Sequence, residues 1–339
     1  MSSNNPFRVA LIGAGRIGKV HAMNIHHHPE SVVHCVVDPI GDAASSLAAS
    51  VGATVVEIDR VFGDDSVDAV VICSATPTHS DLIEKGLLAG KAVFCEKPID
   101  LSIERVNAVL EKTAQCTAPF LLGFNRRFDP AAAAMHERVV AGDIGEVELV
   151  TIISKDPEPP PIEYVKVSGG LFRDMTIHDI DMARFMLGEE PVSIVATASA
   201  LTSEAIATEG DVDTACLTLQ CASGKIAVIT NSRRASFGYD QRMEVHGSLG
   251  SLRTENVPAN TLILERSEGV RREPPMHFFI ERYRDAYRLE WQHFIDVLKG
   301  ASSPSASGLD GQRALMIADA AYESLKSGAR VLLPSSVAV

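Results

Sequence analysis

FRVALIGAGRIGKVHAMNIHHH, residues 7–28, decides the fold of the first part of the chain. Its first six residues form a mostly apolar run, which predicts a buried strand. The turn GAGRIG follows, and the residues after it have the composition of a helix. Further apolar runs alternate with helical segments as far as residue 124, with short loops between them. This alternation predicts a doubly wound parallel sheet and an α/β fold.

The glycine-rich turn matches G-x-G-x-x-G between a predicted strand and a predicted helix. In that setting Gly13 permits the tight turn, Gly15 lets a pyrophosphate approach the backbone, and Gly18 lets the helix pack on the sheet. Arg16 and Ile17 of the same turn are expected to contact the cofactor, and the first amides and positive dipole of the helix that the turn opens favour phosphate binding. The pattern therefore predicts a Rossmann domain with a dinucleotide site, although a glycine turn without a ligand is the competing interpretation.

Asp38 ends the second predicted strand, 20 residues after Gly18. A carboxylate at that point accepts hydrogen bonds from the adenosine ribose, and its charge would repel a 2′-phosphate. The residues that follow, PIGD, contain no arginine that could hold such a phosphate. We therefore expect NAD rather than NADP.

The pattern changes after residue 124, where strands separated by short turns replace the regular alternation. Short connections predict antiparallel neighbours, so residues 125–339 are expected to form an α+β domain with a largely antiparallel sheet. The expected organisation is an NAD-binding domain at 1–124 and a substrate-binding and oligomerisation domain at 125–339. Two helices, near 279–299 and 310–327, are predicted to end the chain.

Composition excludes several classes of function. A net charge of −13 disfavours nucleic acid and anionic membranes as partners. No apolar run reaches the ~18 residues of a transmembrane helix, and the first residues lack the features of a secretory signal. The six cysteines form no CxxC pair, which is typical of reduced thiols in a cytoplasmic protein.

Several segments together resemble the Gfo/Idh/MocA oxidoreductases, over almost the whole chain. They are the glycine-rich start, SATPTHSD at 74–81, CEKP at 95–98, GFNRRFD at 123–129 and GGLFRDMTIHDIDMARF at 169–185. SKDPEPPP at 154–161 and NSRRASFGYDQR at 231–242 narrow the resemblance to a branch that acts on inositol. The family implies a Rossmann domain followed by an open-faced sheet, through which members form dimers or tetramers. We take a homotetramer as the expectation.

The resemblance also implies roles for individual residues. The catalytic residues would be Lys97, Asp174 and His178. Beyond the glycine turn and Asp38, the cofactor-binding residues would include Thr76, His79, Glu96 and Lys97. The polyol would contact Lys97, Arg127, Asp156, Asp174, His178 and Tyr239. A structural role beside the turn is equally open for Glu96, and Arg126 is equally well explained as a surface charge.

The expected chemistry needs a base for the hydroxyl proton while a hydride leaves carbon. Asp174 and His178 are four residues apart, so on a helix they face the same way, and the carboxylate can orient the imidazole. Lys97 ends a Rossmann strand and can stabilise alkoxide character, although it could exchange roles with His178. No HExxH motif or third histidine supports a metal, so we expect none. Asp179 and Asp181 could equally belong to a solvated helix face.

The implied activity is NAD-dependent oxidation of myo-inositol to the 2-keto inositol, scyllo-inosose. Oxidation of another cyclic polyol or sugar, such as scyllo-inositol or an aldose, is the alternative within enzymes. A non-catalytic NAD-binding regulatory protein is the alternative outside them. The presence of both Lys97 and His178 favours catalysis.

Overall fold

The computed structural model describes residues 5–334, which form two compact units. Residues 5–125 and 286–313 belong to the first unit, and residues 126–285 and 314–334 belong to the second. The return of residues 286–313 to the first unit is not a feature that the sequence predicted. The functional division at residue 124 stays a prediction.

The first unit contains a six-stranded parallel sheet in the order β3-β2-β1-β4-β5-β6. Its strands are β1 (Phe7–Ile12), β2 (Ser31–Val37), β3 (Thr54–Val55), β4 (Ala69–Ile72), β5 (Ala92–Glu96) and β6 (Phe120–Gly123). The connecting helices are α1 (Arg16–His27), α2 (Gly41–Val51), α3 (Ile58–Gly63), α4 (His79–Leu88) and α5 (Ile103–Thr113). This is the Rossmann order, in which the direction of winding reverses between β1 and β4 and leaves a crevice at their carboxyl ends. The predicted doubly wound sheet is confirmed.

The core strands of this sheet are buried on both faces because helices cover both. Every residue of β4 is fully buried, as are Val9, Ala10 and Leu11 of β1. Such continuous apolar runs are typical of parallel sheets, and they made the strands recognisable in the sequence.

The second unit is built on a seven-stranded sheet in the order β12-β11-β7-β10-β9-β8-β15. These strands are β7 (Val147–Lys155), β8 (Pro191–Ser199), β9 (Thr214–Cys221), β10 (Ile226–Ser232), β11 (Asp240–Gly247), β12 (Gly250–Thr254) and β15 (Val331–Leu332). Only β7 and β10 pair in parallel among the neighbours of this sheet, so the predicted largely antiparallel sheet is confirmed. A separate exposed hairpin joins β13 (Ile263–Arg266) to β14 (Gly269–Arg272).

Side chains alternate along the strands of the second unit. In β9, Ala215, Leu217 and Leu219 are buried, whereas Cys216 and Thr218 between them are exposed. One face of the sheet is therefore covered within the chain and the other is open, as the period of two requires.

The helices after residue 124 are α6 (Pro130–Val140), α7 (Ile162–Ser168), α8 (Ile177–Leu187), α9 (Glu204–Thr208), α10 (Phe279–Arg282), α11 (Arg284–Leu298) and α12 (Gly308–Ser327). A π-helical turn, Phe172–Thr176, leads directly into α8. The helix predicted near 279–299 is therefore two helices, and the one predicted near 310–327 begins at Gly308. Within residues 5–334, no helix is long and apolar enough to cross a membrane.

Candidate active site

The glycine-rich turn follows β1, and its three glycines serve different purposes. Gly13 has φ +106°, and a Cβ there would lie 2.5 Å from the backbone carbonyl of Cys73, the residue after β4. A Cβ on Gly18 would overlap the carbonyl oxygen of Gly13. Gly15 is exposed, and a Cβ there would meet no atom within 4 Å. Internal packing therefore accounts for Gly13 and Gly18, whereas the open space beside Gly15 leaves room for a ligand.

The start of α1 is suited to an anion. Gly15 is the residue that caps the helix, and it has no side chain with which to cap the first amides. The first turn also contains no acidic residue, while Arg16 is exposed and Ile17 half-buried. Uncapped amides and the positive end of the helix dipole bind phosphate groups. These residues fit the pyrophosphate of a dinucleotide.

Asp38 follows β2 and lies beside the glycine turn. One carboxylate oxygen accepts the amide of Ala14 at 2.6 Å, and the other accepts the amide of Ile40 at 2.8 Å. The side chain is only half-buried, so its remaining lone pairs can still accept hydrogen bonds. This geometry fits a carboxylate fixed at the end of β2 for ribose hydroxyls, as the sequence predicted.

Glu96 and Lys97 stand at the end of β5. The Glu96 carboxylate lies 2.7 Å from Nε2 of His21, a fully buried residue of α1. This contact gives Glu96 a structural role within the first unit, and any cofactor contact stays a prediction. Lys97 is half-buried and follows the strand directly, at the same sheet edge as the glycine turn.

His79 and Thr76 lie in the segment between β4 and α4. His79 is 2% exposed, and its two ring nitrogens lie 2.8 Å from the carbonyl of Pro98 and 3.1 Å from that of Ser74. Burial lowers the pKa of His79. The ring therefore links the loop after β4 to the residue after Lys97. Thr76 begins a half-exposed 3-10 turn. Direct contact of either residue with a cofactor stays a prediction.

Asp174 and His178 occupy the junction between the π-helical turn and α8. Asp174 lies inside the turn and His178 is the second residue of α8, so their four-residue spacing crosses a widened helical turn. Both side chains are half-buried. The Asp174 carboxylate accepts a hydrogen bond from the Tyr164 hydroxyl at 2.8 Å, and Nη2 of Arg233 lies 3.3 Å from its other oxygen.

Asp156 and Tyr239 lie in the same unit. Burial raises the pKa of Asp156 to about 6, the charge of Arg233 opposes that rise, and the charge of Asp174 adds to it. Tyr239 is 6% exposed, and burial raises its pKa well above the usual value. A carboxyl with a pKa near neutrality and a neutral phenol can each donate or accept a hydrogen bond, which suits a polyol.

The acids of α8 correct one sequence interpretation. Asp179 and Asp181 were expected at a solvated face as readily as in a site, yet they are 0% and 1% exposed. Arg126, for which a surface charge was an equally good explanation, is buried and bonded to Asp179 at 2.5 Å. Arg127 makes two hydrogen bonds to Asp181, at 2.8 and 2.5 Å. Two donors of Arg127 are therefore committed to a structural pair, and its contact with a substrate stays a prediction.

Sequence reasoning missed two neighbours of Asp174. Tyr164 lies in α7, directly after the proline-rich segment. Its hydroxyl is its one polar group, and nothing in the local sequence indicates that this hydroxyl faces Asp174. Arg233 is adjacent to a second arginine, Arg234, and composition cannot tell them apart. The strand period offered a signal, because Ile229 and Asn231 are buried and Arg233 continues their alternation while Arg234 is exposed.

Comparison with known proteins agrees with this geometry. Residues 7–124 match the family model described as "Oxidoreductase family, NAD-binding Rossmann fold", and residues 132–253 match the "GFO/IDH/MocA C-terminal domain". The chain is 50% identical over 319 residues to an inositol 2-dehydrogenase of Rhizobium meliloti, covering 94% of this chain and 96% of that one.

Solved structures show the same similarity. A myo-inositol dehydrogenase from Corynebacterium glutamicum superposes with a TM-score of 0.94 at 43% identity, covering 98% of this chain and 100% of that one. A scyllo-inositol dehydrogenase from Lactobacillus casei, with bound NAD(H) and scyllo-inositol, gives a TM-score of 0.90 at 30% identity, covering 97% and 99%. The resemblance inferred from the motifs is confirmed.

Proposed function

The chain belongs to the Gfo/Idh/MocA oxidoreductase family, and we propose that it is an inositol 2-dehydrogenase that oxidises myo-inositol to the 2-keto inositol with NAD. It is an NAD-dependent oxidoreductase. The observation that most supports the substrate is 50% identity to an inositol 2-dehydrogenase over 94% of the chain, together with polar groups in the second unit that suit a polyol. Scyllo-inositol is the second candidate, because a scyllo-inositol dehydrogenase is among the structural relatives.

NAD, when bound, supplies the acceptor for the hydride that leaves the alcohol carbon. The chain's own contribution begins with the glycine turn and the uncapped start of α1, which would hold the pyrophosphate without a side chain. Asp38 would accept hydrogen bonds from the ribose. Its position is fixed by the amides of Ala14 and Ile40, so binding needs no rearrangement of the carboxylate.

The proton of the alcohol needs an acceptor of suitable basicity. Histidine is the side chain most often used as a general base, so we assign the proton-accepting role to His178. Asp174 would orient that imidazole and accept a hydrogen bond from the polyol. Lys97 would donate a hydrogen bond to the reacting oxygen and stabilise its developing negative charge. Exchange of the proton-accepting role between Lys97 and His178 remains open.

The remaining hydroxyls of the ring would be recognised by Asp156, Tyr239 and Arg127. Hydroxyls donate and accept at once, so a site that rejects poor substrates needs groups able to do both. Asp156 and Tyr239 meet that need. Burial keeps Tyr239 a neutral phenol, and burial raises the pKa of Asp156 to about 6, so this group changes between carboxyl and carboxylate close to neutral pH.

A direct assay tests the substrate. Initial rates of NADH formation are measured with myo-inositol, scyllo-inositol, other inositol isomers, glucose and xylose at saturating NAD. We expect myo-inositol to give the highest kcat/KM. A higher value with glucose or xylose would contradict the inositol assignment, and no turnover with any polyol would favour a regulatory NAD-binding protein.

Assembly and compartment extend the same proposal. The open face of the second unit's sheet is a surface for association between copies, and a homotetramer is the expected state. Light scattering at micromolar concentration should give about four times the chain mass, and a monomer would contradict it. The acidic composition and reduced cysteines fit a cytoplasmic enzyme of inositol catabolism.

A further inference from the structure

The Asp174 carboxylate is held on both sides within the second unit. Tyr164 of α7 donates its hydroxyl proton to one oxygen at 2.8 Å. Nη2 of Arg233, the residue after β10, lies 3.3 Å from the other oxygen. A carboxylate with donors on both oxygens has little freedom to rotate, so these two residues determine its direction.

Arg233 is itself fixed in place. It is 1% exposed, and its backbone amide donates to the carbonyl of Asp213 at 2.8 Å. The Asp213 carboxylate in turn accepts the amides of residues 201, 202 and 203 at 2.8, 2.8 and 3.0 Å. The Arg233 guanidinium is therefore held in position before a ligand binds, because the backbone that carries it is hydrogen-bonded to a neighbouring segment.

The charge of Arg233 also acts on a second carboxyl. Burial raises the pKa of Asp156 to about 6, and the charge of Arg233 opposes this rise more than any other group does. The charged and titratable groups coupled to Asp156 are Arg233, Asp174, Arg126, Asp179, Tyr164 and Tyr239. Asp156 lies beside this arginine in the fold, because its backbone amide donates to the carbonyl of Ser232 at 2.9 Å. Two neighbouring carboxyls repel when both are ionised, and a cation close to them relieves that repulsion.

We propose that Arg233 is a positioning residue of the active site, which fixes the direction of Asp174 and lets Asp174 and Asp156 share one polyol site. Its guanidinium performs both tasks because Nη2 hydrogen-bonds to the Asp174 carboxylate while the charge of the group extends to the other carboxyl. The proposal rests on the proposed function, since it gives Asp174 and Asp156 their roles toward a polyol. Arg233 itself acts through these two side chains.

Three variants test separately the charge of Arg233, the shape of its guanidinium and the effect of a similar substitution at an exposed neighbour. Arg233→Met removes the charge and keeps the length, Arg233→Lys keeps the charge and removes the fork, and Arg234→Met changes the exposed neighbour as the matched control. Each is measured for kcat and KM with the best polyol, for NADH affinity and for thermal stability. We expect kcat/KM to fall at least tenfold in Arg233→Met and in Arg233→Lys, with NADH affinity within twofold of wild type and Arg234→Met unchanged.

A second measurement reports the pKa of Asp156 and does not require catalytic turnover. The carboxyl of Asp156 is titrated by NMR in protein with labelled aspartate, and Asp156→Asn assigns the signal. Its midpoint should lie near 6 in wild type. It should move to higher pH in Arg233→Met, because the opposing charge is gone, and move less in Arg233→Lys. A structural role alone would change stability and leave this midpoint in place.

The outcomes distinguish the two levels of the proposal. If wild type oxidises no polyol, the proposed function fails, and the NMR midpoint still decides the role of Arg233. If Arg233→Met keeps wild-type kcat/KM and midpoint, the positioning role is wrong. Should Arg233→Met not fold, Arg233→Lys decides. A wild-type kcat/KM in that variant overturns the role, and a tenfold loss at retained NADH affinity supports it.

Discussion

The three glycines of the turn should respond in opposite ways to an added methyl group. Gly13→Ala and Gly18→Ala place the methyl against backbone atoms, the first of them at φ +106°. Gly15→Ala places it in open space, at φ −71° and ψ −166°, which any residue adopts. Folding should therefore suffer at Gly13 and Gly18, whereas NAD binding should suffer at Gly15.

The sizes of these effects follow from the contacts. At Gly13, positive φ costs roughly 1–2 kcal/mol and forced overpacking another ~1–3 kcal/mol. Gly15→Ala reduces the conformational freedom of the unfolded chain, which stabilises the folded state by ~0.4–1 kcal/mol. Alanine is a poorer residue than glycine at a helix N-cap, which offsets part of that gain. Gly13→Ala should thus lower the free energy of unfolding by about 3 kcal/mol, and Gly15→Ala should change it by less than ~1 kcal/mol.

Two measurements on each variant decide the matter. Thermal unfolding without cofactor should show a loss of ~6–12 °C for Gly13→Ala and Gly18→Ala and less than ~4 °C for Gly15→Ala. Fluorescence titration should show NADH affinity reduced at least tenfold in Gly15→Ala, a loss of ~1.4 kcal/mol or more. Wild-type affinity in a folded Gly15→Ala protein would refute the reasoning, because the pyrophosphate would not approach this residue.

Three other predictions concern the cofactor, catalysis and stability. At ~4 Å and an effective dielectric of ~20, the 2′-phosphate of NADP and the Asp38 carboxylate repel by ~4 kcal/mol. The wild-type kcat/KM should therefore be at least tenfold higher with NAD than with NADP, and the double variant Asp38→Ser with Ile40→Arg should reduce this ratio. Equal kcat/KM values for the two cofactors in wild type would contradict the role of Asp38. Lys97→Ala and His178→Ala should each lower kcat at least ~10²-fold at unchanged NADH affinity in steady-state assays, and near-normal turnover would exclude the role of that residue. Burial, and then the charge of Glu96, raise the pKa of the fully buried Glu290. The folded protein therefore retains a proton that the unfolded chain loses, so the free energy of unfolding falls as pH rises above the ordinary glutamate pKa. Glu290→Gln stays neutral, so its gain in Tm over wild type should grow from pH 5 to pH 8, and a gain independent of pH would contradict the assignment.

The parallel sheet of the first unit could be predicted because its signals are local. Each buried strand is a short apolar run, each helix ends near a glycine or a polar cluster, and short connections leave one way to wind the sheet. The steric roles of Gly13 and Gly18 could also be assigned, since each answers a separate demand for space, whereas the role of Gly15 beside a pyrophosphate stays a prediction. Asp38 was recoverable for the same reason, because its place is a fixed distance along the chain from Gly18.

The second unit was predictable only as a class of fold. Alternation along the strands indicated a sheet with one open face, but no local pattern says that β7 pairs in parallel with β10. That choice depends on packing between residues about 75 positions apart, as the register of Ile226 with Leu149 illustrates. The return of residues 286–313 to the first unit is equally non-local.

The acids of α8 explain why the candidate site was harder to predict than the fold. A charged side chain is ordinarily expected in solvent, because removal of an ion from water costs several kcal/mol. Asp179 and Asp181 are nevertheless buried, since Arg126 and Arg127 reach them from a segment more than fifty residues earlier in the chain. The cost of burial is offset only when both partners meet in good geometry, which sequence cannot reveal.

The same reasoning distinguishes two buried arginines. The resemblance assigned Arg127 to the polyol, and Nε and Nη2 of its guanidinium are bonded to Asp181. Arg233 follows a strand of the other unit and is directed at Asp174, a residue with an expected role in the reaction. Both arginines are almost fully buried, so burial alone does not distinguish a structural cation from a functional one. The difference lies in the partner. The carboxylate that binds Arg127 is 1% exposed and sealed from any substrate, whereas the Asp174 side chain retains 13% exposure and can still meet a hydroxyl.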